Sequence, residues 1–341
     1  MRIVLTARDS AHKHWRTRYA FGCIAACLTA LSGATIAQAS YPAKPIRIIV
    51  PYPPGSGTDF TGREVGAIFS KALRQPVVID NRGGAAAIIG HTLGAKAAPD
   101  GYTLLLGTTG GLVSGPALMG SRIPYDPLKD FEPIGLVTYV PYAIAVTGSL
   151  PASNVKDLID LARASPRKLN VASPGVGTPN HLGAAQLMTL TGIELVHVPY
   201  KGRSLAMTDL LAGNVQMIVT GLLQLLPHHQ TGRLRILGVG HQARLKAYPD
   251  IPTVAETVPG YYNTGWWGIV APRNTPKAII DKLSAIMMKE LVTPDVSQRF
   301  EKNGLEVATT TPRGYHDLIV SDLTMWKKLI KDAKISVDVL P

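Results

Sequence analysis

The 341-residue chain is 46% hydrophobic and 17% charged, which excludes a disordered protein and fits a globular protein of two α/β domains. A formal charge of +12 favours anionic small molecules as partners, or solubility alone. Nucleic acid is not expected as a partner, because no basic run is interleaved with aromatic residues.

The N-terminus has the pattern of a secretory signal peptide. Five basic residues and one acidic residue precede an uncharged stretch, residues 20–39, that ends in Ala37-Gln38-Ala39. We therefore expect residues 1–39 to be cleaved after Ala39, leaving an exported protein with a formal charge of +8. A transmembrane anchor is the alternative, but the Gly, Ser, Thr and Gln content of the stretch and its A-x-A end argue against it.

Both cysteines, Cys23 and Cys27, lie within this N-terminal segment. The mature protein should therefore contain no thiol or disulfide, which excludes thiol catalysis and cysteine metal sites. Residues 24–27 also match a lipoprotein cleavage signal, in which case Cys27 would carry a lipid anchor. We keep this as the alternative, because the uncharged stretch continues well past Cys27.

The mature chain opens with a strand, a loop and a helix. A buried strand is predicted by the apolar residues at 46, 48, 49 and 50, and the prolines at 51, 53 and 54 end it. Gly55-Ser56-Gly57 allows main-chain N–H groups to approach a ligand closely, and Thr58 or Asp59 can cap the helix that follows. Free N–H groups and the helix dipole at that point favour a small anion. Asp59 suits a helix cap better than a ligand contact, since its carboxylate would repel an anion.

Strands and helices alternate over the rest of the first half. We predict strands over residues 76–80 and 102–106, with a helix between them that places Ile89, Leu93 and Ala97 on one face. The third strand runs into a second loop of small and hydroxyl residues, 107–111. This alternation predicts a parallel sheet with helices on both faces and a ligand site at the carboxyl ends of the strands.

A second α/β series follows a β-like run, residues 136–147, that Pro141 interrupts. We interpret this run as a strand crossing between domains and residues 261–271 as a strand that returns. The series contains a loop, Ser173 to His181, with backbone donors and hydroxyls before a helix that Thr178 can cap. We therefore predict a ligand held between two domains, residues 40–138 plus 265–341 and residues 139–264.

Aromatic residues cluster at the predicted return strand. They are Tyr261, Tyr262, Trp266 and Trp267. We expect all of them to fill the core except Trp267, which we expect to line the cleft.

The remaining motifs argue against an enzyme. The seven mature histidines are scattered, and adjacent His228 and His229 would point to different sides of a helix, so we expect no metal or other cofactor. His181 could donate to a carboxylate or make a structural hydrogen bond. A hydrolase-like or nucleotide-dependent enzyme is the less favoured alternative, because the sequence has no G-x-S-x-G elbow and no P-loop lysine.

Several segments, in order along the chain, resemble a known family. They are YPAKPIRIIVPYPPGSGTD, VVIDNRGGAAAIIG, PDGYTLLLGTTG, IPYDPLKDFEPIG, ASPGVGTPNHL, VPYKG with DLLAGNVQ, and IPTVAE with WWGIVAP. On these segments the chain resembles the periplasmic receptors of tripartite tricarboxylate transporters, the Bug family, over essentially all of its mature length. The resemblance implies a type II periplasmic binding protein fold, with two mainly parallel sheets flanked by helices and a ligand in the interdomain cleft.

The resemblance also implies the function and the partners. We expect a receptor, acting as a monomer, that binds a small carboxylate: a di- or tricarboxylate or an aromatic acid. Its partners would be the membrane components of a transporter or, alternatively, a sensor kinase to which it presents the ligand without transport.

Family receptors hold a carboxylate largely through main-chain groups of two loops. In this sequence these are the first loop, Tyr52 to Asp59, and the second loop, Ser173 to His181. Two positions depart from the family pattern: Ser56 replaces a second glycine, and Thr220 replaces a common aspartate, which makes an amino-acid ligand less expected. The predicted ligand-binding residues are Tyr52, Pro54, Gly55, Ser56, Gly57, Thr58, Asp59, Thr108, Thr109, Ser173, Gly175, Gly177, Thr178, His181, Thr220 and Trp267.

Overall fold

Strands and helices alternate along the chain much as the sequence predicts. The structure is a computed structural model that describes residues 41–84, 87–200 and 202–335, so the predicted signal peptide with both cysteines lies outside the described residues. The strands are β1 (Ile46–Val50), β2 (Val77–Asn81), β3 (Thr103–Thr108), β4 (Phe131–Thr147), β5 (Asn170–Ser173), β6 (Val196–Pro199), β7 (Met217–Gly221), β8 (Leu234–Val239), β9 (Thr264–Pro272) and β10 (Glu306–Val307).

The helices complete the α/β pattern. They are α1 (Gly57–Leu73), α2 (Ile88–Ala95), α3 (Gly115–Met119), α4 (Val155–Ala164), α5 (Pro179–Thr191), α6 (Arg203–Ala212), α7 (Leu222–Gln230), α8 (Lys277–Glu290), α9 (Pro294–Lys302) and α10 (Pro312–Asp332). A π-helical turn, Gly110–Ser114, leads into α3. In the described part of the chain, no helix is both long enough and apolar enough to cross a membrane.

The long strand β4 joins the two halves of the sheet. Its residues 131–141 pair with β9, and its residues 142–147 pair with β7 and β8. The first lobe consists of residues 131–141 of β4, the strands β1, β2, β3, β9 and β10, and the helices packed on them. The second lobe consists of residues 142–147 of β4, the strands β5 to β8, and the helices packed on them. The predicted domain boundaries near residues 138 and 264 stay a prediction, but the pairing of β4 changes between Pro141 and Tyr142.

Each lobe has three parallel strands and an antiparallel border. The order is β2-β1-β3-β9-β4-β7-β5-β6, with β8 and β10 also paired to β4. β1 runs parallel to β2 and β3, and β5 runs parallel to β6 and β7. Because β4 leaves the first lobe and β9 returns to it, these two neighbours run in opposite directions. The sheet is therefore mixed as a whole, while three neighbouring strands in each lobe run parallel, in agreement with the predicted fold class.

Pro141 does not interrupt β4, contrary to the sequence interpretation. The strand is continuous from Phe131 to Thr147, and Pro141 is the last residue to pair with β9. Proline lacks an N–H donor and is tolerated where a ladder ends. Because β4 changes its pairing strand at Pro141, the missing N–H lies at the end of the ladder with β9 and interrupts no hydrogen-bond ladder.

The core has helices on both faces of the sheet. In the second lobe, Ile144 and Val146 pack into one buried cluster, and the alternate residues Ala143 and Ala145 pack into another. In the first lobe, Trp266 is fully buried and meets Tyr315 edge to face, with a ring-centroid distance of 5.3 Å. This confirms the prediction that Trp266 fills the core.

Two local predictions need correction, and several elements were not predicted. The cap of α1 is Ser56, whose hydroxyl accepts from Asp59 N–H, and neither Thr58 nor Asp59 takes that role. On α2, Ile89 and Leu93 are 47% and 43% exposed, because the helix instead packs its glycines against the sheet. The sequence analysis also did not predict the elements α3, α7, α9 and β10.

Candidate ligand cavity between the lobes

The first loop is held by the carboxylate of Asp59. Its Oδ2 accepts from Gly55 N–H and from Arg63 Nε, both at 3.0 Å, and its Oδ1 accepts from Asn81 Nδ2 at 3.0 Å. Burial would raise the pKa of Asp59, but the hydrogen bonds from Arg63, Gly55 and Asn81 outweigh it and lower the pKa. The Asp59 carboxylate is therefore ionised, and the protein itself provides its hydrogen-bond donors.

A cavity of about 160 Å³ lies beyond this loop, where the two lobes meet. The first loop and Trp267 form one part of its wall, and β4 and the starts of α6 and α7 form another. Its lining residues are Tyr52, Ser56, Gly57, Thr58, Val140, Pro141, Tyr142, Arg203, Gly221, Leu222, Leu223, Gln224, Trp267, Asn303, Gly304 and Leu305.

The N-termini of three helices meet at this cavity. Gly57 begins α1, Arg203 begins α6 and Leu222 begins α7. Both α6 and α7 follow a glycine that provides no side-chain cap. The first N–H groups of a helix have no partner within the helix, and they lie at the positive end of its dipole. This arrangement favours negative charge in the cavity.

Arg203 is the one cation among the described lining residues, and none of those residues is acidic. In the described part of the chain, no ion pair or hydrogen bond involves the Arg203 side chain, which is exposed. A neighbouring cavity of about 220 Å³ differs in this respect, because Glu301 and Glu306 line it together with Lys246. The acid-free cavity is the better anion site.

Two tyrosines lie within the field of Arg203. Burial raises the pKa of Tyr52, while the charge of Arg203 and the Thr108 side chain oppose the rise. Burial likewise raises the pKa of Tyr142 to about 12, and Arg203 again opposes it. Both phenols therefore stay protonated at neutral pH and can donate hydrogen bonds to an anion.

Five predicted ligand-binding residues line this cavity: Tyr52, Ser56, Gly57, Thr58 and Trp267. Gly57 lies directly against Trp267, since a Cβ at this glycine would be 3.1 Å from the indole Cη2. The absence of a side chain at Gly57 thus brings α1 and the indole together. Pro54, Gly55 and Asp59 belong to the same loop but are not among the lining residues.

The second loop lies apart from the lining of this cavity. Gly177 has a φ of +75°, and a Cβ there would overlap the side chain of Leu118 on α3. Ser173 Oγ lies 2.6 Å from His197 Nε2, and Thr178 Oγ1 caps α5 and donates to Gly175 O. These contacts hold the loop against its own lobe and against α3.

His181 has a structural hydrogen bond, one of the two roles that the sequence left open. Its Nδ1 accepts from Gly177 N–H at 3.1 Å, and its ring stacks on His197 with a centroid distance of 3.9 Å. Burial, followed by the neighbouring His197, lowers the pKa of His181 to about 3. The ring is therefore neutral, with its proton on Nε2.

The remaining predicted residues support the walls of the site. The hydroxyl of Thr109 donates to Trp266 O at 3.1 Å and accepts from Trp266 N–H at 2.7 Å. Its proton is therefore already engaged with the backbone of β9. Thr108 N–H donates to His91 Nε2. The buried Thr220 donates to Gln224 Oε1 at 3.1 Å and thereby orients the Gln224 amide at the cavity.

Sequence reasoning missed Arg203, Tyr142 and Gln224. Arg203 follows the VPYKG segment, and a cation at the first position of a helix is unfavourable for the dipole unless an anion is near. An arginine at this position could therefore have indicated an anion site from the sequence. The position of Tyr142 depends on where β4 changes partners, which the sequence does not give.

Among the described residues, no group of three or more His, Cys, Asp or Glu side chains is placed to hold a metal ion. Two lobes joined by crossing strands, with an anion-favouring cavity between them, define a solute-binding protein. The comparisons with known proteins specify the family. A family model described as "Tripartite tricarboxylate transporter family receptor" matches residues 62–335, so the chain belongs to this family of receptors.

Relatives and solved structures agree with this assignment. The chain is 33% identical to the protein BugT of Bordetella pertussis over 306 residues, which cover 89% of this chain and 94% of BugT. It is 35% identical over 301 residues to a UPF0065 protein of Pseudomonas sp. strain P51, covering 88% and 89% of the two chains.

Two similar structures contain a dicarboxylate. R. palustris Rpa4515 with adipate has a TM-score of 0.78 and 33% identity, covering 87% of this chain and 99% of that one. MatC from Rhodopseudomonas palustris with bound malate has a TM-score of 0.72 and 29% identity, covering 85% and 100%. The periplasmic binding protein BugD has a TM-score of 0.74 and 32% identity, covering 87% and 99%.

Proposed function

We propose that the protein is a periplasmic receptor that captures a small carboxylate for a tripartite tricarboxylate transporter. The observation that carries this proposal is the cavity at which three helix N-termini and Arg203 meet without an acidic lining residue. Family membership and the dicarboxylates bound by two similar structures support the same class of ligand.

Binding requires that protein groups replace the water around a carboxylate. Charged hydrogen bonds from N–H groups and a guanidinium are short and strong, so they can offset the loss of hydration. Closure of the lobes would then exclude the remaining water and strengthen these bonds. No covalent step is needed, and the proposal assigns no catalytic residue.

The cavity favours a small ligand with an apolar portion. Its volume of about 160 Å³ is below the ~300–1,000 Å³ of typical drug-sized sites. Apolar side chains of both lobes line it between the polar groups, namely Val140, Pro141, Leu222, Leu223 and Leu305. We therefore propose linear dicarboxylates of the size of malate and adipate as ligands, ahead of bulkier tricarboxylates and aromatic acids.

We further propose that the second loop contributes to the ligand after the lobes close. In this proposal residues 40–138 plus 265–341 move against residues 139–264, with β4 and β9 as the connections. The second-loop donor best suited to a carboxylate is His181 Nε2–H, because Gly177 already occupies Nδ1.

Calorimetry with the protein exported on its own N-terminal segment tests the carboxylate proposal. Adipate, malate, succinate and benzoate should be titrated, with 1,6-hexanediol as the uncharged control. We expect binding of at least one dicarboxylate and none of the diol. Absence of binding by every carboxylate would contradict the proposed function.

A gene deletion separates transport from sensing. If the receptor serves a transporter, the deletion strain loses uptake of the labelled ligand, and a plasmid copy restores it. If uptake is unchanged while ligand-dependent induction is lost, the partner is a sensor kinase and the transport proposal fails.

A further inference from the structure

Arg203 is in a position to contact a ligand from the second lobe. It is the first residue of α6, and its charge acts on Tyr52 of the first loop and on Tyr142 of β4. Gly202 before it has a φ of +128° and no neighbouring atom within 4 Å of a built Cβ. Arg203 therefore lines the same cavity as Tyr52 and Gly57 of the first loop, and its side chain is exposed.

The protein provides no counter-ion for this guanidinium among its described residues. The nearest acid of the first loop, Asp59, is already bound by Gly55, Arg63 and Asn81. The other residues that line the cavity are neutral. Among the described residues, none competes with an anion from solution for this guanidinium.

The second positive region of the cavity belongs to the first lobe. Gly57 and Thr58 occupy the first two positions of α1, whose N–H groups have no acceptor within the helix. Ser56 Oγ accepts from the N–H of Asp59, the third residue of α1, at 3.1 Å. The cap therefore does not occupy the N–H groups of Gly57 and Thr58. Apolar side chains, Val140 and Leu222 among them, line the same cavity as this region and Arg203.

Resting on the proposed function, we propose that Arg203 binds one carboxylate of a linear dicarboxylate whose other carboxylate lies at the N-terminus of α1. The contact is a charge-assisted pair with the planar guanidinium, which matches a carboxylate in bidentate geometry. Arg203 thereby selects ligands with a second carboxylate, and the ligand connects the two lobes.

Calorimetry of a matched pair of ligands tests this assignment. Adipate and hexanoate share a six-carbon chain and differ in the second carboxylate. If the wild-type protein prefers another chain length, that dicarboxylate and its own monoacid are used. We expect R203Q to weaken the dicarboxylate about 10- to 100-fold and to leave the monoacid nearly unchanged. R203K should recover only part of the loss, because an ammonium cannot make the bidentate pair.

R233Q is the control, since Arg233 is an exposed second-lobe residue outside the cavity lining and its loss changes the net charge equally. It should bind like the wild type. Equal weakening of both ligands by R203Q would overturn the assignment, and so would unchanged dicarboxylate affinity. In either of these cases wild-type binding still supports the proposed function, whereas a wild-type protein that binds no carboxylate contradicts that function itself.

Discussion

Asp59 is an acidic residue in the loop that we propose to bind an anion, and the protein itself compensates its charge. Its carboxylate accepts from Gly55, Arg63 and Asn81, so its charge is compensated from three directions. The sequence predicted a helix cap at this residue, but Ser56 is the cap and Asp59 instead holds the loop. The loop is therefore ordered before a ligand arrives.

We expect D59A to lose both stability and affinity. The donors of Gly55, Arg63 and Asn81 would lose a largely buried acceptor. Each donor left without a partner lowers the free energy of unfolding by about 1–3 kcal/mol, and by less where water can take the place of the carboxylate. The ligand should bind at least tenfold more weakly because the N–H groups of the loop are no longer fixed. Urea unfolding and calorimetry measure the two effects.

Asp157 provides the matched control for this substitution. It accepts from Ser153 N–H near the start of α4 in a similar local arrangement, outside the cavity lining. D157A should reduce stability and leave affinity unchanged. If D59A and D157A gave the same ligand affinity, the role of Asp59 in the site would be refuted.

Asp322 on α10 gives the fold a dependence on pH. Burial raises its pKa to about 6, although the hydrogen bond from Trp266 Nε1 at 2.6 Å opposes the rise. A carboxyl whose pKa is higher in the folded state binds more protons there than in the unfolded chain. Its contribution to stability is therefore greatest below about pH 4 and declines as the pH rises to about 6.

D322N should remove this component of the pH dependence. The amide Oδ1 still accepts from Trp266 but does not ionise, so we expect the variant to gain up to roughly 3 kcal/mol relative to wild type between pH 4 and pH 7. Urea unfolding at several pH values measures the difference. A stability difference between the two proteins that does not change with pH would show that Asp322 does not titrate in this range.

At the scale of elements, the sequence predicted best where periodicity and loop chemistry agreed. Thr178 and Pro179 take the predicted N-cap and first positions of α5. The same reasoning failed for α2, because it assumed that the large apolar residues face the core. A Cβ at Gly94 would lie 2.9 Å from Leu105 Cδ2, so α2 packs closely through its small residues and leaves Leu93 outside.

The second loop is the element whose role in binding the structure leaves as a prediction. We expect Gly177→Val to abolish binding without unfolding the protein. A valine there would require a strained positive φ and would overlap Leu118, displacing the loop while its lobe keeps its core. Circular dichroism and calorimetry on the same sample provide the measurement.

A second substitution separates the two causes. Leu118→Ala in the Gly177→Val background removes most of the overlap but not the strain, so partial recovery of affinity would attribute the loss to the contact between the loop and α3. If Gly177→Val bound the ligand as tightly as the wild type, the second loop would not belong to the site.

In the whole molecule, the crossing strands and the first-loop wall of the cavity were readable from the sequence, but the second-lobe wall with Arg203 was not. The run that became β4 was visible as a long β-like segment, and the position of Trp267 beside the buried Trp266 follows from strand alternation. Arg203 and the first loop come together only through the pairing of both lobes with β4. They lie about 150 positions apart, and no local pattern connects them.

The lobes of the molecule meet around a cavity whose positive groups come from both sides. In the proposed binding mode, ligand binding favours closure of the lobes, because a dicarboxylate that contacts α1 and Arg203 makes all of its contacts only when the lobes approach each other. A ligand with one carboxylate would favour closure less strongly.

A crystal structure of the protein with adipate tests the central claim most directly. We expect one carboxylate within about 3 Å of the N–H groups of Gly57 and Thr58, and the other within the same distance of the Arg203 guanidinium. Adipate bound away from this cavity, or bound within it without contact to the first loop, would contradict the proposed binding mode.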